Sequence, residues 1–110
     1  MKSYTVGGQD QSRAAGDPWI EFQRSTDLST GLYAIEAGET DEQEPHTEDE
    51  IYVCVRGRAR FVTPTEECDV EPGTVIFVPA NEEHRFVDIT QRLEVVVVFG
   101  PAEGARSVAK

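Results

Sequence analysis

Short runs of β-forming residues, separated by turn residues, recur through most of this chain. The runs are WIEFQRS at 19–25, TGLYAIEAG at 30–38, EIYVCVRGRARFVTP at 50–64, TVIFVP at 74–79, HRFVDI at 84–89 and RLEVVVVFG at 92–100. No segment carries the sustained 3.6-residue periodicity of an amphipathic helix. Seven or more short strands with turns between them predict an all-β sandwich or barrel.

Glycine and the chain ends divide the sequence further. Gly57 interrupts the longest β-forming run, which favours a hairpin or a β-bulge at that point. Residues 1–17 are rich in Gly, Ser, Gln and Asp and predict a flexible N-terminal arm. Residues 18–101 then form the barrel, and residues 102–110 form a short C-terminal tail.

The charge balance excludes two classes of partner. The 110 residues include 21 acidic and 10 basic side chains, a formal net charge of −11. Phosphate backbones and anionic lipids repel such a chain, so we expect neither a nucleic-acid nor a membrane partner. No apolar run approaches the roughly 20 residues that span a bilayer. The first residues lack the apolar core of a signal peptide, so the cytoplasm is the expected compartment.

The last β-forming run bears on assembly. LEVVVVF at 93–99 is apolar at nearly every position, whereas a strand with one solvated face alternates. Both faces of this strand should therefore be covered. A domain of this size has few ways to cover two faces alone, although a thick sandwich core would also do so. We expect a homodimer formed through strand pairing.

Two histidines and nearby acids are the one pattern in the sequence with metal-ligand chemistry. On an extended strand Glu44 and His46 project to the same side, while Glu50 and His84 each open a later strand. Two imidazoles and a carboxylate can form a three-ligand face with open positions, which suits Fe, Mn, Zn or Ni. A histidine at a strand end can equally be a surface or turn residue.

Two stretches of the chain resemble the two motifs of small bacterial cupins. The first motif, G-x5-H-x-H-x3,4-E-x6-G, matches in spacing at Gly38, Glu44, His46, Glu50 and Gly57. The second, G-x5-P-x-G-x2-H-x3-N, matches in spacing at Gly73, Pro79, Asn81, His84 and Asp88. The resemblance covers residues 38–88. It implies a cupin-type double-stranded β-helix, a jelly-roll barrel with little helix.

The resemblance implies ligand roles for His46, Glu50 and His84. Glu44 stands where the family has its first histidine, so its role does not carry over. It could be a fourth ligand, or a general base beside the metal. Asn81 replaces a turn glycine, and Asn tolerates the left-handed conformation. Asp88 replaces an asparagine and has no expected chemical role.

The surroundings of these residues follow from strand alternation. Inward parity from Glu50 predicts that Tyr52 and Cys54 face the interior, and parity from His84 predicts the same of Phe86. These three side chains are the candidate pocket wall, although each is as well explained as plain core. Thr47, Glu48 and Asp49 should form a solvated turn between the ligands.

Two functions from different classes fit these observations. The first is a metal-dependent cupin that acts on a small organic molecule by oxygenation or isomerisation. The second is a non-catalytic module that binds a small molecule or a metal, as a sensor or store. The fold hosts both, so the residues that line the site must separate them.

Overall fold

The computed structural model describes residues 1–6, 18–41 and 43–106. Within these ranges the chain forms six β-strands and no helix. The strands are β1 (Trp19–Arg24), β2 (Ser29–Ile35), β3 (Asp49–Val62), β4 (Glu67–Val70), β5 (Val75–Val78) and β6 (Arg85–Gly100). Every pairing is antiparallel, in the order β1-β2-β6-β3-β4, with β5 also paired to β3. The all-β prediction is confirmed.

Part of each predicted chain end lies outside the described residues, namely 7–17 of the N-terminal arm and 107–110 of the C-terminal tail. At the described start of the arm, the Tyr4 hydroxyl donates a hydrogen bond to Gln23 at 2.9 Å. The part of the chain that is described contains no helix long and apolar enough to cross a bilayer.

The strands differ from the sequence prediction in number and length. The two runs at 84–89 and 92–100 form one continuous strand, β6, because Thr90 and Gln91 between them are no turn signal. β4 was not predicted, since its sequence ECDV combines one β-branched residue with two acids. The described residues therefore hold six strands, of which β3 and β6 are long, rather than seven or more short ones.

β3 and β6 pair along most of their length and bend in the middle. Asp49 to Cys54 pair with Gly100 to Val95, and Arg60 to Val62 pair with Val87 to Arg85. Between these halves the register shifts three times. Extra residues in a strand bend it and increase its twist. The bend folds the two halves of the ladder toward each other.

Gly57 lies at the centre of this bend. Its φ is 95°, in the region that side chains disfavour. A Cβ added at Gly57 would stand 2.1 Å from the Arg92 carbonyl oxygen on β6, far inside van der Waals contact. The two backbones approach closely only because residue 57 has no side chain. The bulge predicted at Gly57 is confirmed.

The core fills the space inside the bent sheet with alternate residues of β3 and β6. Tyr52 and Cys54 are buried on β3, and Phe86 is buried beside them from β6, as strand parity predicts. The rings of Tyr52, Phe61 and Phe86 contact one another edge to face, with centroids 4.8–5.5 Å apart. Such pairs stabilise a core beyond their buried area. The His84 ring packs against this aromatic cluster, with centroid distances of 5.9 Å to Tyr52 and 5.8 Å to Phe61.

We expect Gly57→Ala to destabilise the protein more than Gly73→Ala. Both glycines have positive φ, but a Cβ at Gly73 would meet nothing within 4 Å. Gly73→Ala should therefore cost only the backbone term of roughly 1–2 kcal/mol. Gly57→Ala adds a backbone clash to that term. Urea unfolding of both variants measures the difference, and equal losses would show that the close approach at Gly57 is relaxed without cost.

Candidate metal centre

The side chains of His46, Glu50 and His84 meet at one point. One ligand atom from each lies within 4.8 Å of the others, and this is the group of metal-binding type found among the described residues. Glu50 Oε1 is 3.1 Å from His84 Nε2 and 3.3 Å from His46 Nδ1. Two imidazoles and one carboxylate are thus placed as the sequence spacing predicts.

The bend and a tight turn bring these residues together. Glu50 lies near the start of β3 and pairs with Val78 on β5. After β5 the chain turns at Asn81, whose φ of 69° is left-handed as predicted, and reaches His84. The Asn81 amide donates a hydrogen bond of 2.7 Å to the His46 carbonyl oxygen. This bond ties the loop that carries His84 to the loop that carries His46.

A backbone contact orients the His84 ring. His84 Nδ1 lies 2.8 Å from the Glu82 carbonyl oxygen, which can only accept, so Nδ1 carries a proton. The other nitrogen, Nε2, faces Glu50. A bond from the outer nitrogen of a histidine to a carbonyl is the usual way to fix which nitrogen binds a metal.

The three groups shift one another's proton affinity. Contact with the Glu50 carboxylate raises the pKa of His46, against the effect of burial. Burial acts to lower the pKa of His84, but Glu50 and the bond to the Glu82 carbonyl outweigh it and raise that pKa. Burial acts to raise the pKa of Glu50, and both histidines together lower it. The Glu50 carboxylate therefore stabilises positive charge on the two imidazoles.

The donor set fits a metal ion. His46 Nδ1 and Glu50 Oε2 are buried and have no hydrogen-bond partner among the described residues. A buried polar atom without a partner costs about 1–3 kcal/mol, so native sites rarely leave one. Both atoms belong to the set of His46, Glu50 and His84, which we call the ligand group. A divalent cation between these three side chains would satisfy both atoms. Fe, Mn, Zn and Ni all accept two imidazoles and a carboxylate.

Beside the ligands lies a relay of hydrogen bonds that sequence reasoning missed. The Tyr52 hydroxyl is 3.0 Å from His84 Nε2 and donates to Gln43 Oε1 at 2.9 Å. Gln43 in turn donates from Nε2 to Asp41 at 2.8 Å. Asp41 is buried and also accepts bonds from the Tyr33 hydroxyl at 2.6 Å and the Phe86 amide at 2.8 Å. Burial, reinforced by Glu50, raises the pKa of Tyr52 well above its ordinary value.

The predicted pocket-wall residues take different places. Tyr52 reaches the ligand group through its hydroxyl. Phe86 packs on the rings of Tyr52 and Phe61, and both of these rings contact the His84 ring. The Cys54 thiol donates to the Arg56 carbonyl oxygen at 3.4 Å, and burial raises its pKa. Among these three, the structure brings Tyr52 to the ligands.

Glu44 lies apart from the ligand group. Its side chain is exposed, and it does not belong to the group of His46, Glu50 and His84. It lines a cavity of about 390 Å³ together with Gln43, Glu83, His84 and Arg85. The cavity gives Glu44 a place at the entrance to the site rather than in its centre.

Glu48 was expected in a solvated turn, and this prediction is wrong. Its side chain is 2% exposed because the turn at residues 102–106 covers it. Glu48 Oε2 accepts a hydrogen bond of 3.3 Å from the Arg106 amide. The same turn places Glu103 Oε2 3.5 Å from His46 Nε2. No sequence signal links residues this far apart in the chain.

The family model for the cupin domain, Cupin_2, matches residues 31–99, more than half of the sequence. The chain belongs to the cupin family. An uncharacterized protein of Streptomyces coelicolor is 42% identical to this cupin over 104 residues, which cover 94% of this chain and 99% of the relative.

Solved structures agree with this assignment. A Klebsiella pneumoniae protein with a double-stranded β-helix domain aligns at a TM-score of 0.72 and 12% identity, over 90% of this cupin and 91% of that chain. A DMSP lyase from Ruegeria pomeroyi aligns at a TM-score of 0.68 and 18% identity, over 89% of this cupin and 55% of the lyase. At these identities the likeness shows the fold. The predicted double-stranded β-helix is confirmed.

Replacing His84 with Ala should abolish divalent-metal binding by this cupin while the barrel still folds. The change removes one of three ligands, so affinity should fall by more than the roughly 10–100-fold that loss of an outer partner causes. Phe86→Leu is the matched control, since it changes a buried residue of the same region that carries no ligand atom. Metal analysis and circular dichroism test both variants. Undiminished metal content in His84→Ala would contradict the ligand assignment.

Proposed function

We propose that this cupin is a metal-dependent enzyme that acts on a small organic molecule by isomerisation or oxygenation. The observation that carries the proposal is the convergence of His46, Glu50 and His84, with two buried atoms that lack hydrogen-bond partners. These residues would hold one divalent ion of Fe, Mn, Zn or Ni. Such an ion supplies Lewis-acid polarisation of a bound oxygen atom or, if redox-active, activation of dioxygen.

The Tyr52 relay favours an enzyme over a store or sensor. A protein that only holds a metal needs ligands and their orienting partners. Here a neutral hydroxyl is also fixed 3.0 Å from a ligand nitrogen, and Gln43 and Asp41 hold it in place. Because its proton is donated to Gln43, the hydroxyl presents a lone pair that can accept a hydrogen bond from a donor group on a bound molecule. We therefore assign Tyr52 the role of orienting the bound molecule.

Glu44 is the proposed group at the entrance. It is exposed and shares the cavity wall with His84, so it can contact a molecule that enters. A carboxylate that stands off the metal retains its lone pairs for a proton, which is the requirement for a general base. With Glu50 as the one carboxylate among three ligands, a divalent ion would leave the group with a net charge of about +1. Such a site favours molecules that offer anionic oxygen donors.

The experiment that tests this proposal measures both the metal content and the catalytic activity of the protein. Metal content is measured after purification without added metal. The loaded protein is then tested with catechols, β-diketones and hydroxy-carbonyl compounds for oxygen uptake and for deuterium exchange from D₂O. His84→Ala provides the baseline. Turnover with the wild type alone supports the enzyme. Ligand binding without oxygen uptake or exchange would favour the non-catalytic module instead.

Glu44→Gln should leave Mn²⁺ affinity unchanged, because the exposed Glu44 side chain lies outside the ligand group. Glu83→Gln is the matched control, since Glu83 is another exposed acid in the same cavity wall and reports the effect of charge alone. Titration of metal-free protein with Mn²⁺ gives all three affinities. A loss of about tenfold or more in Glu44→Gln, with Glu83→Gln unchanged, would make Glu44 a ligand.

We also propose that two copies of this cupin pair through an outer apolar patch. The patch consists of two rows of paired residues, Phe77–Ile51–Val98 and Val75–Val53–Val96, on the side of β5, β3 and β6 that faces away from the core. Val75 is 63% exposed and Phe77 is 60% exposed. The rows contain no charged residue, although the chain carries a net charge of −11. A second copy can approach this face without contact between like charges.

Phe77→Asp should convert the dimer to a monomer, because it places a carboxylate on a face that pairing would desolvate. Thr65→Asp adds the same charge at an exposed position outside the patch and should leave the dimer intact. Light scattering at micromolar concentration measures the mass of each variant. A monomeric wild type would remove this proposal.

A further inference from the structure

The chain after β6 folds back over the loop that carries His46. Residues 102–106 form a turn in which the Ala105 amide donates a hydrogen bond of 2.9 Å to the Ala102 carbonyl oxygen. Ala102 is buried against the barrel. Sequence patterns predict only a tail for these residues, whereas the structure places them beside the ligand group. We call residues 102–106 the C-terminal turn.

Hydrogen bonds fix this turn to the barrel from one side. The Glu103 amide donates to the buried Ser29 hydroxyl at 2.9 Å. Arg24 Nη2 donates to the Glu103 carbonyl oxygen, also at 2.9 Å. The backbone of Glu103 is therefore held by β1 and β2, and its side chain has a defined starting point.

Further hydrogen bonds fix the C-terminal turn to the loop of residues 43–48, which carries His46 and which we call the ligand loop. The Arg106 amide donates to buried Glu48 at 3.3 Å, and Arg106 Nη1 donates to the Thr47 carbonyl oxygen at 3.2 Å. Thr47 and Glu48 directly follow His46 in the chain. The position of the His46 backbone is thus coupled to the C-terminal turn.

The Glu103 carboxylate lies on the outer side of the His46 ring. Glu103 Oε2 is 3.5 Å from His46 Nε2, whereas His46 Nδ1 points toward Glu50 and has no hydrogen-bond partner. The Phe99 ring packs against the same imidazole, with centroids 4.8 Å apart, and limits its rotation. The two ring nitrogens therefore face different partners, an acceptor outside and the ligand group inside.

We propose that Glu103 is a positioning residue for the metal ligand His46. Its carboxylate accepts the proton on Nε2, which leaves the lone pair on Nδ1 directed at Glu50 and His84. The 3.5 Å contact needs to shorten by only about 0.5 Å to reach ordinary hydrogen-bond length. A carboxylate behind a metal-bound imidazole fixes its tautomer and raises its basicity as a ligand. This inference rests on metal binding as proposed above.

The test uses Zn²⁺, which is diamagnetic, and compares wild type with Glu103→Ala and Glu103→Gln. Loss of the acceptor in Glu103→Ala should lower Zn²⁺ affinity by roughly 10–100-fold. Glu103→Gln removes the charge but keeps an oxygen acceptor, so its affinity should stay within about threefold of wild type. Chelator competition measures the affinities, and thermal unfolding confirms that each variant folds.

A second readout identifies directly which nitrogen of His46 binds the metal. Long-range ¹H–¹⁵N spectra of Zn²⁺-loaded wild type should show His46 coordinated through Nδ1 with its proton on Nε2. In metal-free Glu103→Ala the preference for the Nε2–H tautomer should be lost, which a change in stability alone would not cause. Because the first spectrum needs only wild type, the inference stays testable even where Glu103→Ala does not fold.

Three results would overturn the role of Glu103. One is coordination through Nε2 in the wild type. Another is wild-type Zn²⁺ affinity in Glu103→Ala. The third is an equal loss of Zn²⁺ affinity in Glu103→Gln and Glu103→Ala. The charge of residue 103, rather than its oxygen acceptor, would then determine the affinity. Failure of the wild type itself to bind Zn²⁺ is a different result, and it removes the proposed function together with this inference.

Discussion

The ladder of β3 and β6 bends where the two backbones approach each other closely at Gly57. In the pairing of β3 with β6, Glu50 lies opposite Phe99, while Arg85, next to His84, lies opposite Val62 at the far end of the ladder. In a flat hairpin these two ligands would be many residues apart. They are 3.1 Å apart because the strands bend between these halves, where Gly57 allows contact with the Arg92 backbone. The bend at Gly57 and the turn at Asn81 together thus set the distance between these two side chains.

Around the ligand group, buried carboxylates each accept hydrogen bonds from several donors and so fix the positions of the residues that donate them. Asp41 accepts from Tyr33, Gln43 and Phe86, and so connects β2, the ligand loop and β6. Glu48 does the same between the ligand loop and the C-terminal turn. A buried carboxylate is costly unless donors surround it, so each of these acids holds its neighbours in one arrangement. Glu50 differs from them, since its buried Oε2 has no hydrogen-bond partner among the described residues, and this supports its proposed role as a metal ligand.

The sequence predicted the parts of the site that depend on local pattern. Strand parity placed Tyr52 and Phe86 inside, motif spacing brought His46 and His84 to one centre, and the tolerance of Asn for positive φ explained the turn at Asn81. These predictions needed only the two-residue alternation of strands and the geometry of turns.

Contacts between distant residues could not be predicted in the same way. Glu103 and His46 are far apart in sequence, and nothing in the polar C-terminal stretch indicates that it packs on the ligand loop. Acids at turns are usually solvated, so the sequence predicts a solvated Glu48. Contacts between distant residues bury its side chain instead. Asp41 lies in an acid-rich loop where no periodicity separates the buried carboxylate from the exposed ones. Pairing across the fold, rather than local pattern, determines these three roles.

The proposed function requires that His46, Glu50 and His84 bind one divalent ion at the centre of their group. Pulsed electron paramagnetic resonance of the protein loaded with Mn²⁺ tests this binding, because it detects the nitrogen nuclei coupled to the ion. We expect one tightly bound Mn²⁺ per chain with two coordinated imidazole nitrogens. Mn²⁺ that shows coupling to water protons but to no nitrogen would contradict it.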